Sequence, residues 1–146
     1  MLKGIPKILS PELLKVLAEM GHSDCISIGD GNFPAESMGR NAIVLHMEGH
    51  GVAEILDAIL TVFPLDRYVK KPVSLMQVVP GDPVETPIFD VYRSIIKKHE
   101  PDLADPIEEL ERFAFYDKVR TTYCVIQTSE AALYANIILQ KGVVTD

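Results

Sequence analysis

An α/β fold, one domain whose sheet is covered by helices on both faces, is predicted by three features of this 146-residue chain. Apolar stripes at helical spacing alternate with short apolar runs of strand character. No internal repeat or low-complexity tract interrupts the alternation, and the longest polar connector, Pro101 to Pro106, is too short to divide domains. The length suits a single domain over 1–146, in which about 70% of the unfolded chain's surface can be buried.

The elements follow in order. Ser10-Pro11-Glu12 starts a helix, with serine as N-cap and proline where its missing N–H is not needed. Leu13, Leu14, Leu17 and Met20 form its apolar stripe, and Gly21 is the expected C-cap, which leaves His22 in the following turn. Cys25 to Ile28 is a buried strand ending at Gly29-Asp30-Gly31, so Asp30 stands at a carboxyl end, where α/β proteins collect ligands. Val52 to Phe63 is helical through Val52, Ile55, Leu56, Ile59, Leu60 and Phe63, and Pro64 stops it, with Asp66 in the loop beyond. Val73 to Val79 reads as a strand and Gly81-Asp82-Pro83 as a turn. Thr86-Pro87 opens a helix with the stripe Ile88, Val91, Tyr92, Ile95 and Ile96. A strand through Arg112, a short helix from about Tyr116 to Thr121, a strand Tyr123 to Thr128 and a last strand Ile137 to Gln140 complete the chain.

Composition narrows the function. Fourteen Lys and Arg against 21 Asp and Glu give a net charge of −7 and a pI near 5.0. Such a surface repels phosphate backbones, and the nearest basic cluster is only Lys70-Lys71, so neither nucleic acid nor an anionic membrane is an expected partner. No apolar run approaches the ~18 residues of a membrane span. Met1-Leu2-Lys3-Gly4-Ile5-Pro6 carries a charge and a proline where a secretory signal needs an unbroken apolar stretch. Cys25 and Cys124 stand singly in apolar segments, which fits free thiols in a reducing cytoplasm.

Two short segments about ninety residues apart hold most of the chemistry-bearing side chains. The first is Gly21-His22-Ser23-Asp24, with Asp30 after it. The second is Arg112-Phe113-Ala114-Phe115-Tyr116, followed by Tyr134-Ala135-Asn136. Together they supply an imidazole, a carboxylate, a guanidinium, phenols and an amide, an inventory for gripping a neutral, hydroxyl-rich molecule and moving its protons. An imidazole titrating near ~6.5 can give and take a proton at cellular pH. A carboxylate accepts two sugar hydroxyls, and a guanidinium offers a fixed fork of donors.

Plainer roles compete for the same residues. His22 could serve only to hydrogen-bond the preceding helix, and Asp30 between glycines suits a tight turn. Arg112 could pair with Glu109 or Glu111, Phe113 and Phe115 read as core, and Tyr116 fits either use. His46, Glu48 and His50 alternate as a metal triad on a strand would, yet Gly49 and Gly51 weaken a regular strand there and no fourth ligand is evident. No metal site is therefore assigned. The chain carries no Gly-x-Ser-x-Gly elbow, Walker loop or paired cysteines.

The motifs combined resemble those of the L-fucose mutarotases and their relatives the D-ribose pyranases, over nearly the whole chain. They run from Leu9-Ser10-Pro11-Glu12-Leu13-Leu14 through Met20-Gly21-His22, Asp30, Asn32-Phe33-Pro34 and Pro64-Leu65-Asp66. They end with Arg112-Phe113-Ala114-Phe115-Tyr116, Tyr134-Ala135-Asn136 and Lys141-Gly142-Val143. The resemblance implies a three-layer α/β/α sandwich and an isomerase that interconverts the α and β anomers of a free monosaccharide without a cofactor. It implies His22 as proton donor, Tyr116 as a second acid–base or binding group, and Asp30, Asp66, Arg112, Tyr134 and Asn136 as substrate contacts. It further implies a homo-oligomer, a ring-shaped decamer with the site completed at a subunit interface.

Arg112 matches the fucose branch, where ribose relatives tend to carry histidine. Ala135 replaces the usual glycine of the fucose branch, Ser23 and Cys25 replace a common glycine and glutamate, and Leu45 to Gly51 diverges. Three readings follow: an L-fucose mutarotase, a D-ribose pyranase exchanging pyranose and furanose, or a non-catalytic sugar-binding or regulatory subunit.

Overall fold

The computed structural model of the protein describes residues 1–146. Six strands, β1 (Cys25–Gly29), β2 (Ile43–Met47), β3 (Val73–Met76), β4 (Ile107–Leu110), β5 (Cys124–Thr128) and β6 (Ile137–Gln140), form one sheet in the order β2-β5-β1-β6-β3-β4. Five run parallel, and β6 is antiparallel to its neighbours β1 and β3. The sheet is thus mixed, with helices on both faces. On one face α1 (Pro11–Glu19), α3 (Val52–Leu60) and α4 (Pro87–His99) enclose the larger core. On the other, α2 (Ala35–Met38) and α5 (Arg112–Val119) cover a smaller one built on Phe33, Phe115, Val119 and Val125. Complete burial of residues such as Leu13, Ile55 and Leu56 contributes about 1.5–3 kcal/mol each. No helix is long and apolar enough to cross a membrane.

The antiparallel strand matters for function. β5 and β6 are consecutive in the chain but separated in the sheet by β1. The segment joining them, residues 129–136, must therefore pass over the carboxyl end of β1, and it lays Tyr134, Ala135 and Asn136 on Asp30. The Asp30 N–H donates to Asn136 Oδ1 at 2.9 Å, and Gln127 Nε2 donates to the Asp30 carbonyl at 2.7 Å.

Several expected boundaries shift for identifiable reasons. Helix α1 is capped by Ser10, whose hydroxyl accepts from Leu13 N–H at 3.2 Å, but Gly21 is not its C-cap. Met20 occupies that position in extended geometry, and Lys141 Nζ reaches in to bond the Leu17 and Met20 carbonyls. The expected strand from Val73 to Val79 stops at Met76 because its neighbour β4 ends at Leu110, whose carbonyl takes a last bond from Gln77 N–H (2.8 Å). Regular helix in α3 ends at Leu60, short of Phe63.

Arg112 does not end a strand; it opens α5, because Glu111 caps that helix, its Oε2 accepting from Phe113 and Ala114 N–H at 3.0 and 3.1 Å. Phe113 is consequently turned outward and 66% exposed, whereas Phe115 is fully buried, so only one of the two expected core phenylalanines is core. Helix α2, four residues long, and strand β2 were not anticipated; β2 is an apolar run, Ile43-Val44-Leu45 with Met47, but lies at the sheet edge with two exposed positions.

Candidate functional site

The predicted residues form two groups at opposite ends of the sheet. Five of them, Asp30, Arg112, Tyr116, Tyr134 and Asn136, line one cleft of about 300 Å³ at the carboxyl ends of β1, β3 and β4. His22 and Asp66 lie together at the amino end of β1. The strand between them spans roughly 13 Å at the usual rise per residue. His22 and Asp30 of a single chain therefore cannot close on one small molecule.

Within the cleft, Asp30 is buried and its Oδ1 accepts from Asn32 N–H at 2.9 Å, so the turn-forming role is real. Burial pushes its carboxyl above the usual range, opposed by the Asn32 amide and the Asn136 side chain. Phe33 packs on Gly29, where an added Cβ would stand 2.5 Å from the phenyl ring. That ring in turn supports Tyr116, at 5.9 Å between centroids, and Phe115, at 6.5 Å. Arg112 extends over the faces of Phe113 and Tyr116, 5.5 and 5.7 Å from their centroids.

Arg112, like Arg40, is in no ion pair, whereas Arg67, Arg93 and Arg120 each hold a carboxylate. Pairing with Glu111 fails because Glu111 is committed to the helix cap. A cation at a helix N-terminus is also unfavourable by a few tenths of a kcal/mol to about 1 kcal/mol. Within the fold Arg112 makes only the stacking contacts on Phe113 and Tyr116, and its guanidinium lines the cleft with its donors uncommitted. The Tyr116 hydroxyl likewise has no protein partner among the hydrogen bonds of the structure. Helix α5, which carries both residues, is clamped to the sheet by Lys118 Nζ, which donates to Ser74 Oγ at 2.8 Å and pairs with Glu108 Oε1 at 3.3 Å.

At the other end, residues 21–24 form a turn closed by Asp24 N–H to Gly21 carbonyl (3.2 Å) and by Gly21 N–H to Asp24 Oδ2 (2.7 Å). His22 projects from its tip, with a side chain 41% exposed. Its Nε2 lies 3.1 Å from Asp66 Oδ1, and Tyr68 lies 5.3 Å from the imidazole, centroid to centroid. Asp66 is almost completely buried. Burial alone would raise its carboxyl, but bonds from Tyr68 N–H (3.0 Å), His22 and Gln140 Nε2 (2.9 Å) outweigh that and hold it below the usual range. A carboxylate only accepts, so Nε2 of His22 carries the proton of that bond. Nδ1 is then the ring atom left to exchange a proton with solvent or substrate.

Two non-glycine residues have positive φ, Ser23 (75°) beside His22 and Tyr134 (59°) in the cleft. Such backbone costs of order 1 kcal/mol and concentrates at functional sites. Here each instance sits in one of the two groups. His46, Glu48 and His50 do not form one cluster. His46 bonds Glu48 and Glu36 at 2.7 Å each, and His50 bonds Glu54 at 3.1 Å. These are exposed pairs around the start of α3, where Gly51 and Glu54 supply the cap.

Sequence reasoning missed Asp82, Met76, Val79 and Leu133 as cleft residues. Gly81-Asp82-Pro83 was legible as a turn, but nothing local says that the turn folds back over the carboxyl end of β1.

The model of the RbsD / FucU transport protein family matches residues 3–144. An L-fucose mutarotase of Actinobacillus pleuropneumoniae is 47% identical over 143 residues, covering 98% of this chain and 97% of that protein. Among solved structures, FucU from Bifidobacterium longum is 66% identical with a TM-score of 0.95, over 98% of this chain and all of that one. A fucose mutarotase from Streptococcus pneumoniae, solved in complex with L-fucose, is 44% identical with a TM-score of 0.91, over 99% and 100%. RbsD of Bacillus subtilis, at 21% identity and a TM-score of 0.74, shares the fold.

Proposed function

That the chain belongs to the RbsD / FucU transport protein family is the premise from which we propose that it is an L-fucose mutarotase, an isomerase interconverting the α and β anomers. Full-length identity to proteins of that name supports the reading, as does a 44%-identical structure holding L-fucose. The observation that carries it is the pairing of an imidazole oriented by a buried carboxylate with a cleft whose guanidinium and phenol have no protein partner.

Anomerisation opens the ring by protonating the ring oxygen while the anomeric hydroxyl loses its proton, and the chain recloses on the other face of the aldehyde. Two proton transfers suffice, and no cofactor is called for. His22 supplies one transfer through Nδ1. Asp66 fixes its tautomer and orientation, as the buried carboxylate does in other His–Asp pairs. Tyr116, with an uncommitted hydroxyl, supplies the other or binds beside it. Each placed acid or base contributes typically ~10²- to 10⁴-fold. Arg112, Asp30 and Asn136 hold the sugar hydroxyls, and Tyr134 adds a further contact.

The reaction site is composite. The His22 end of one copy meets the Arg112 cleft of the next, since one chain holds them at opposite ends of β1. Exposed apolar residues border both, Phe113, Val79 and Leu133 beside the cleft and Tyr68 and Val69 beside His22. Contact between two different patches is head-to-tail, and such contacts give a ring when the rotation between copies closes. A decamer is the ring size in keeping with the family. Cys25 and Cys124 lie against opposite cores and remain free thiols, in keeping with a reducing cytoplasm.

Exchange NMR on equilibrated L-fucose, D-ribose and D-galactose tests the assignment, at a pH where spontaneous exchange is slow. The proposal expects acceleration with L-fucose. Acceleration confined to ribose pyranose–furanose exchange would make the protein a pyranase, and none with any sugar would leave a binding protein.

A further inference from the structure

We propose that Asp82 is a positioning residue for sugar binding, acting by holding the Tyr134 phenol in the cleft; this rests on the mutarotase reading above. Asp82 sits in the loop between β3 and α4 and lines the cleft with Tyr134 and Asp30. The Tyr134 hydroxyl donates to Asp82 Oδ2 at 2.7 Å, a short charge-assisted bond. The same phenolic oxygen accepts weakly from Val79 N–H at 3.4 Å. Asp82 is anchored in turn, its Oδ1 accepting from Val84 N–H at 3.2 Å.

Tyr134 needs such an anchor. Its φ of 59° is a conformation a bulky residue keeps only when its surroundings over-determine it. Residues 129–136 contain no regular element, and the phenol is tied back to the rest of the domain through Asp82 and Val79. The bond also sets what the phenol can do. With its proton already given to a carboxylate, Tyr134 offers a ligand only an acceptor lone pair. Asp82 correspondingly holds the phenol above its ordinary value, so it is a poor proton donor. Together with Asp30, this makes one wall of the cleft an acceptor surface for sugar hydroxyls. Arg112 and Tyr116, which line the same cleft, provide the donors. Of the two phenols in the cleft, Tyr134 donates to a carboxylate of its own chain and Tyr116 does not.

A double-mutant cycle on the assembled protein decides this. Asp82→Ala and Tyr134→Phe are each expected to raise the KM for L-fucose exchange about tenfold with a smaller change in kcat, as for loss of a charge-linked hydrogen bond. The double variant should show the same tenfold rise rather than a hundredfold one, and Asp82→Asn, whose amide oxygen still accepts, should recover most of the loss. In parallel, NMR of ring-labelled tyrosine, read as the difference from Tyr134→Phe, should show the Tyr134 phenol ionising at lower pH in Asp82→Ala than in the parent. A wild-type KM in Asp82→Ala, additive losses in the double variant, or an unmoved phenol titration would overturn the proposal. Failure of the parent protein to exchange any sugar would instead remove the mutarotase reading, and the phenol titration would still report on Asp82.

Discussion

Two buried aspartates, at the two ends of β1 and 36 residues apart in sequence, show how differently the halves of the site are made. Asp66 is surrounded by donors from His22, Tyr68 and Gln140, and its carboxyl is held below the usual range. Around Asp30 burial outweighs the donors, and its carboxyl is held above. Asp66 therefore adds stability at neutral pH, while Asp30 lowers it. The His22 end is satisfied within the chain and presents one ring nitrogen. The cleft end is left partly unsatisfied, with Arg112 and Tyr116 unpartnered and Asp30 buried at a cost. Under the proposed function, the group that exchanges a proton is fixed by its own chain, and the groups that would grip the sugar are left free for it.

The largest effect that sharpens this contrast is expected at His22. His22→Ala should lower catalysed L-fucose exchange by about 10²- to 10⁴-fold while circular dichroism and sugar affinity change little, since the side chain is half exposed. Exchange at the parent rate would remove the proton-donor role. Next in size is Arg112→Ala, which should raise KM about tenfold or more, as expected for lost hydrogen bonds to a charged group. Because Arg112 pairs with no carboxylate and its stacking on Phe113 and Tyr116 is offset by its place at a helix N-terminus, thermal stability should change little; unchanged affinity in calorimetry would contradict its anchoring role.

The smallest effects separate the aspartates by sign. Asp66→Asn should destabilise the protein at neutral pH. The Asp66 carboxyl is lowered in the folded state, so its contribution is present above the unfolded value near ~3.9 and disappears as pH falls through the lower folded value. Parent and variant should therefore converge in strong acid. Asp30→Asn should do the reverse at neutral pH, raising the unfolding midpoint while weakening sugar binding. For Asp30 the folded carboxyl is raised, so its penalty appears only as pH climbs through that window, and the gain should vanish below about pH 4. Denaturant titrations of both variants across pH measure this, and shifts of the same sign would break the comparison.

Much of this was legible in the chain because local signals agreed with the tertiary result. The capped α1, the apolar runs of β1, β5 and β6, and Asp30 at a strand's carboxyl end all followed from spacing and turn chemistry. Arg112 was misplaced because Glu111, which reads as one of several surface acids, caps a helix that begins before the apolar pattern does. The partition of the site was not legible either. His22 and Asp30 are eight residues apart in sequence, and only the strand running between them puts them at opposite ends. Asp82 was hidden for a similar reason, since its partner Tyr134 comes from a segment fifty-two residues away.

The composite site is tested most directly by mixing defects. Subunits carrying His22→Ala and subunits carrying Arg112→Ala with Tyr116→Phe are each expected to assemble without useful activity at low L-fucose. Refolded together in equal amounts, random assembly puts an intact His22 end against an intact cleft at about a quarter of the head-to-tail contacts, and exchange should return to about a quarter of the parent rate. If the mixture stays as inactive as its components while forming mixed oligomers, each chain builds its own site and the division between the two ends of β1 is not the basis of catalysis.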